Sequence, residues 1–475
     1  MAGGGTQGNG DGGPARAGQL SGGCGIDVAP DGAVVLAENA GFASRVRRVA
    51  SPLSRLTGTQ LFAPSTDGRD LYVFSALGRH EQTVDALTGT VRWQFGYTPE
   101  GFLQSVTDAD NNVTTIQRDS TGAPTAIDGP FGRSTALSID SDGYLESITN
   151  PALESTTLTY DAAGGGLLAT LTDAKQQAHV FEYDTEGMLT KDTSPSGGSK
   201  TLVRTAVGSG HVITLTTGLG RATSYAVSRL TTGDRQRHNT LPNGLEATVN
   251  VGADGRRSTV LPDGTQVTST LSPDPRFGMQ APLVSRTTTT PGGKVLAVGM
   301  SRTATLDNPA DPLSLTAMVD TVSLNGKSTT TELDVALGTV TQIHTSPEGR
   351  VTTSVFDTEG HLLSLTRLGL LPTTFGCDTS GRLAATTQGT RIWTRAYHAS
   401  GSPLFGELSS ITDPLLDVTS FDAYDHAGRL LDQTLPSGRP VSFAYDANGN
   451  RTLVKPPPIT PTEGCLLYTS PSPRD

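Results

Sequence analysis

The stretch that decides the fold is FEYDTEGMLTKDTSP, residues 181–195. An aromatic and an Asp precede a short turn, Thr185-Glu186-Gly187, and an apolar run resumes at Met188-Leu189. The chain writes the same phrase again as YDAAGGGLLATLTD at 160–173, FDTEGHLLSLTR at 356–367, YDHAGRLLDQT at 424–434 and YDANGNRT at 445–452. Aligning the turn glycines gives Gly101, Gly122, Gly143, Gly166 and Gly187, in steps of 21, 21, 23 and 21. A second series, Gly360, Gly381, Gly401, Gly428 and Gly449, has steps of 21, 20, 27 and 21. A recurrence in this range marks a repeat architecture.

Each unit reads as two strands. In VRWQFGYTPEGFLQSVTD, 91–108, Val91, Trp93, Phe95 and Tyr97 alternate with Arg92, Gln94 and Gly96, so one face is apolar. Thr98-Pro99-Glu100-Gly101 supplies the turn, Pro fixing φ and Gly accepting a positive φ. An Asp at the head of a turn accepts backbone N–H bonds, and the aromatic pins the hairpin to its neighbours. The repeated tyrosines and aspartates are therefore structural, not a set of catalytic acids. One hairpin is marginal in water; stacked edge to edge, about ten or more pair their backbone edges and bury apolar faces together. The expectation is an all-β chain of consecutive antiparallel hairpins forming one long continuous sheet that curls on itself. Clear repeats cover 90–200 and 340–452. The stretch 200–340 is degenerate, keeping LPNG at 241–244 and LPDG at 261–264 but broken by prolines in SPDPRFGMQAPL and LDNPADPLSL, which suit loops or edges.

Composition agrees. Of 475 residues, 56 are Gly and 29 Pro, and charged residues make up 17%. The net charge of −11 offers nothing to neutralise phosphate, so nucleic acid is not an expected partner. No apolar run reaches the ~20 residues of a membrane span. Cys24, Cys377 and Cys465 have no metal-ligand spacing.

The candidate chemical motifs read as turns. G-x-S-x-G, H-E-x-x-H and the Walker loop do not occur. GSGHVI at 208–213 and GLGRAT at 218–223 do not complete a dinucleotide fingerprint. His80, His179, His211, His344 and His426 show no paired ligand spacing, and His179 shares strand parity with Phe181 and Tyr183. The acidic loops at 108–112 and 140–143 fall on expected turns and do not carry the full calcium-loop pattern. Asn112-Val113-Thr114 and Asn450-Arg451-Thr452 are sequons. No catalytic, cofactor-binding or metal residue is assigned, and no cofactor is expected.

YDTEGMLTKDT, FDTEGHLLSLT, IDSDGYLESIT, CDTSGRLAATT and YDHAGRLLDQT resemble the YD repeat of Rhs proteins and teneurins. Residues 8–49 resemble one blade of an NHL β-propeller, through Asp11-Gly12-Gly13-Pro14-Ala15, Asp31-Gly32 and Arg45-Val46-Arg47-Arg48-Val49. A blade running into YD hairpins is similar to the teneurin order. The resemblance implies that the hairpins coil into an incomplete, hollow β-barrel shell, and it implies three regions: a partial propeller at 1–60, a YD shell at 61–455, and an unstructured tail at 456–475. That tail, ending TEGCLLYTSPSPRD, resembles translated sequencing-adapter read-through. In function the resemblance implies a non-enzymatic scaffold, a fragment of a secreted or cell-surface protein. Its partner would be a cell-surface protein or glycan. The alternatives are an Rhs-type shell enclosing a C-terminal toxin domain, and a carbohydrate-binding wall-associated protein.

Overall fold

The computed structural model describes residues 23–28, 34–40, 43–49, 56–57 and 60–457, apart from 162–164, 253, 310 and 337. The hairpin quoted above shows why the motif folds as it does. Ala178–Tyr183 pairs antiparallel with Leu189–Thr193, and the register shifts by a bulge after Glu182 so that Tyr183 faces Leu189. Asp184 organises the turn: its Oδ1 accepts the backbone N–H groups of Glu186 and Met188, both at 2.9 Å. Gly187 closes it at φ +80°, a conformation that costs an L-residue about 1–2 kcal/mol.

The tyrosine does something that parity did not reveal. The Tyr183 hydroxyl donates to the carbonyl of Leu168 at 2.9 Å, fifteen residues back in the preceding hairpin. Tyr97, Tyr160, Tyr397 and Tyr424 donate in the same way to His80, Leu145, Leu383 and Leu408, at 2.7 to 3.0 Å. In each case the acceptor lies two residues after the previous turn glycine. These five hairpins are thus each latched onto the one before.

From Gln60–Pro64 to Arg451–Lys455, 35 strands form one antiparallel sheet in which sequence neighbours pair. Leu56–Thr57 adds a short extension to its first strand. Among the described residues no ladder joins the last strand to the first, so hydrogen bonding does not close the sheet. Gly23–Val28, Val34–Ala40 and Ala43–Val49 form a separate three-stranded antiparallel meander. The first part of the propeller-like stretch and nearly all of the tail from 456 lie outside the described residues.

The sheet overlaps itself instead of closing. Turns alternate between two rims: the YD rim, where the Asp–Gly turns lie, and the far rim. Far-rim residues of early hairpins meet YD-rim residues of late ones. Thr88 meets Thr358, Asn112 meets Ser380, Arg133 meets Glu407, Glu154 meets Arg429 and Lys175 meets Asp446. The first, second, fourth and fifth pairs are 270, 268, 275 and 271 residues apart in the chain. Each contact spans 23 strands; between Thr88 and Thr358 these run from Val91–Tyr97 to Val351–Asp357. The sheet is a coil of 23 strands per revolution, its second layer seated on its first.

At the usual strand spacing, 23 strands give a circumference of about 110 Å and a diameter of about 35 Å. Side chains cannot fill that width, so the wall encloses a lumen.

Buried apolar side chains gather where the layers meet. Leu71, Val73 and Val84 pack with Phe277 and Leu313, and Leu315, Met318, Leu333 and Val340 pack with Leu87 and Phe356. The degenerate middle of the sequence supplies this junction. Its strands lengthen to 10–12 residues at Gly278–Thr289, Val295–Leu306, Leu315–Leu324 and Lys327–Ala336. Pro273 and Pro282 fall inside strands, which their reading as loop or edge residues explains only in part. Pro282 lies outside Arg286–Thr289, the stretch of its strand paired with Val295–Val298, so its missing N–H breaks no bond on that side. Arg302 anchors the junction with ion pairs to Asp274 at 2.9 Å and Asp320 at 2.5 Å; its side chain is only 7% exposed.

Candidate functional site: the seam between revolutions

The seam concentrates the polar chemistry of the described chain. Its far-rim side is built from turns at 108–112, 129–133, 150–154 and 173–177, and its YD side from turns at 357–361, 378–382, 398–407, 425–429 and 446–450. The decisive position follows the turn glycine. In the second revolution it holds His361, Arg382, Ser402, Arg429 and Asn450, and the side chains of His361, Arg382 and Arg429 cross the seam. Arg429 donates to Glu154 with both terminal nitrogens, at 2.8 and 3.1 Å, and through Nε to Asp425 at 2.5 Å. Arg382 lies over the Phe131 ring, 5.1 Å from its centroid, while pairing with Asp378. His361 stands between Asp357, 2.9 Å from Nδ1, and Asp110, 3.2 Å from Nε2.

Side chains of the first layer also fill the space above second-layer turn glycines. Asp110 sits over Gly381, Phe131 over Gly406 and Arg133 over Gly428, each where a Cβ would stand. Phe131 also meets Phe405 edge-on, at 5.5 Å between ring centroids. These glycines are needed twice, for their positive φ and for the close approach.

Beside His361 lies a cleft of about 430 Å³, lined by Asp110, Asp357, Glu359, Cys377 and Asp378 among others. Burial pulls the His361 imidazole down, but Asp357 and Asp110 outweigh it and hold the group above its ordinary range. Burial pushes the Cys377 thiol up, and Asp357, Asp110 and Asp378 add to the effect. The cysteine is therefore held protonated and is a poor nucleophile. The hydrogen bonds from Arg429 hold the Glu154 carboxyl below the usual range, outweighing desolvation. Among the described residues, no group of three or more His, Cys, Asp or Glu could hold a metal ion. The chemistry the seam performs is adhesion of one layer to the next.

Asp108 and Asp140 each accept two backbone N–H bonds within their own turns. GSGHVI and GLGRAT place Gly208 and Gly220 at turns between strands. His179 stacks on Phe181 and approaches Asp192 at 3.5 Å. Asn112 is a seam residue: its amide nitrogen donates to Asp108 at 2.8 Å and to the carbonyl of Ser380 at 3.2 Å. Asn450 is exposed beside Asp446. Sequence reasoning does not single out His361, Arg382 and Arg429, because the residue after the turn glycine differs from repeat to repeat. The signal was there: the first-half repeats carry Phe102, Ala123, Tyr144, Leu167 and Met188 at that position, none of them charged.

A coil of tyrosine-latched YD hairpins matches one family. The Teneurin YD-shell family matches residues 58–463. The chain belongs to this family. Among curated relatives it is similar to Teneurin-3 of Mus musculus, 30% identical over 158 residues, covering 33% of this chain and 6% of that protein. It is similar to Teneurin-1 of Gallus gallus, 30% identical over 176 residues, covering 37% and 6%. Teneurin-m of Drosophila melanogaster is 30% identical over 165 residues, covering 33% and 6%. The matched part is thus about 6% of each relative's length. Among solved structures, TcdB2-TccC3 without its hypervariable C-terminal region aligns over 92% of this chain and 29% of that one, at 12% identity and a TM-score of 0.45. The family match begins at residue 58 and does not take in the three-stranded meander before it. No helix among the described residues is long and apolar enough to cross a membrane.

Proposed function

We propose that this YD-shell chain is the non-catalytic wall of a secreted or cell-surface scaffold whose outer face takes part in recognition of a cell-surface protein or glycan. The single observation behind this reading is the self-seating coil. A wall of 23 strands per revolution, wet on both faces, is a large, stiff display surface, and its polar groups are spent on holding layers together. Residues 1–60 we read as part of a propeller that would mount the shell, and the residues from 456 as no part of it. Membership of the Teneurin YD-shell family supports the scaffold role.

The lumen supports a second use, enclosure of a segment from the same longer polypeptide, as in a shell around a C-terminal toxin domain. One experiment separates the two. Beads coated with the purified chain are scored for adhesion to a panel of cells, before and after treatment of the cells with protease or glycosidase. Adhesion lost with protease supports a protein partner, and adhesion lost with glycosidase a glycan. Folded chain that adheres to no cell rejects surface recognition. Enclosure is then tested by asking whether the downstream segment of the parent protein resists protease while the shell is intact.

A further inference from the structure

Within each layer neighbouring strands are joined by backbone ladders, whereas at the seam the layers meet through side chains. The seam is therefore where the wall can part without breaking a ladder. Its packing is uneven. Arg133 with Glu407, Glu154 with Arg429, and Phe131 with Phe405 hold one stretch of it. The turn at 357–361 is held more lightly. The cleft of about 430 Å³ lies on one flank of that turn, between Asp110, Glu359 and Cys377. A second cleft of about 310 Å³ lies on the other flank, between Thr88, Val340 and Thr358. Two polar contacts cross the seam from this turn. The Thr88 hydroxyl donates to the carbonyl of Thr358 at 3.5 Å, the outer limit of a hydrogen bond. The other is the 3.2 Å contact between His361 Nε2 and Asp110.

We propose that the turn at 357–361 is a gate in the wall, latched to the first layer while His361 carries its second ring proton and released when that proton leaves. The latch is built on both ring nitrogens, since Nδ1 meets Asp357 at 2.9 Å and Nε2 meets Asp110. An imidazolium donates to both carboxylates. A neutral ring has one N–H, so the carboxylate that loses its donor faces a lone pair instead. The groups around the ring do not replace the lost charge. Glu359 stands on the same turn, and Asp378 and the protonated Cys377 line the cleft from the next hairpin. Arg382 is spent on Asp378, at 2.7 Å. Asp108, beside Asp110, is bound to its own turn. Loss of the proton thus leaves uncompensated negative charge on both sides of the seam. Burial opposes the charge on His361 but Asp357 and Asp110 outweigh it, so release falls above the ordinary value of 6.5. Arg133, Arg429 and Lys175 keep their charges through that range, which confines the parting to this turn. The gate needs neither a surface ligand nor an enclosed segment, so it stands apart from both functional readings.

Hydroxyl-radical footprinting of the purified full chain at pH ~6 and ~8.5, read by mass spectrometry, tests the gate. Val340 is only 4% exposed and lines the second cleft, and Phe356, directly before the turn, packs against it. Oxidation of these two residues, measured relative to Phe131 and Phe405 in the same sample, is expected to rise about threefold or more at the higher pH. His361→Arg, which keeps the charge, is expected to stay protected at both pH values. His361→Gln, which cannot carry it, is expected to be oxidised at both. Circular dichroism at each pH checks that the sheet is intact; if His361→Gln does not fold, the comparison of the native chain with His361→Arg decides. Oxidation of the native chain that ignores pH, an equal rise at Phe131 and Phe405, a rise that persists in His361→Arg, or a folded His361→Gln as protected as the native chain at pH ~6 would each overturn the proposal.

Discussion

Arg429 grips Glu154 from 275 residues further along the chain, with two nitrogen–oxygen contacts of 2.8 and 3.1 Å. Both side chains are mostly shielded, at 20% and 16% exposure, so the pair outperforms an ordinary surface ion pair. A double-mutant cycle of Arg429→Ala and Glu154→Gln, read by chemical denaturation, is expected to give a coupling of about 1–3 kcal/mol. A coupling indistinguishable from zero would mean that the two layers do not meet as described.

The Asp110–His361–Asp357 bridge makes the seam sensitive to pH. Its imidazole is held above the ordinary value of 6.5, so the bridge stabilises fully below that value and loses its contribution as pH rises through the folded value. The melting temperature is expected to fall between pH ~6 and ~8.5, and His361→Gln to flatten that slope. At the acid end the sign reverses. The depressed carboxyl of Glu154 stabilises above its ordinary value of 4.5 and gives that contribution up as pH drops through its folded value. An unchanged slope in His361→Gln would remove the bridge from the account.

Gly401 and Gly406 share a loop and nearly the same φ, +91° and +90°. A Cβ on Gly401 meets open space, whereas one on Gly406 would come within 2.5 Å of the Phe131 ring and 2.7 Å of its Cβ. Both Gly→Ala changes pay about 1–2 kcal/mol for the left-handed backbone. Gly406→Ala is expected to cost measurably more, and Phe131→Ala to erase the excess. Equal losses in urea titrations would show that Phe131 does not seat there.

Tyr183→Phe removes the latch to Leu168 without changing the ring. The expected loss is about 0.5–1.5 kcal/mol, and the amides of Leu189–Thr193 should exchange faster with deuterium. Unaltered exchange across both hairpins would reduce the hydroxyl to decoration.

The hairpin was legible in the sequence because everything that makes it is local. Period-two alternation, an Asp to gather N–H groups and a Gly for positive φ all lie within a dozen residues, as at 181–193. The revolution was not legible. It follows from twist and bulges summed over 23 strands, and no short window carries that sum. The seam residues were hidden differently. His361, Arg382 and Arg429 occupy a position that looks free within any one repeat and acquires meaning only when early and late repeats are compared. The lengthened strands over 266–336 read as decay because the motif is lost there, yet they bury the junction between layers.

The tyrosine latch also gives the wall a direction in time. Each latched hairpin bonds backward, to a carbonyl that has already left the ribosome, and its ladder partners are its immediate neighbours in the chain. The wall can therefore be laid course by course as the polypeptide emerges, in small steps of low loop-closure entropy. Overlap of the two layers must wait until a full circuit has been synthesised. Until then the cylinder is an open ribbon, and anything destined for its interior has that interval in which to enter.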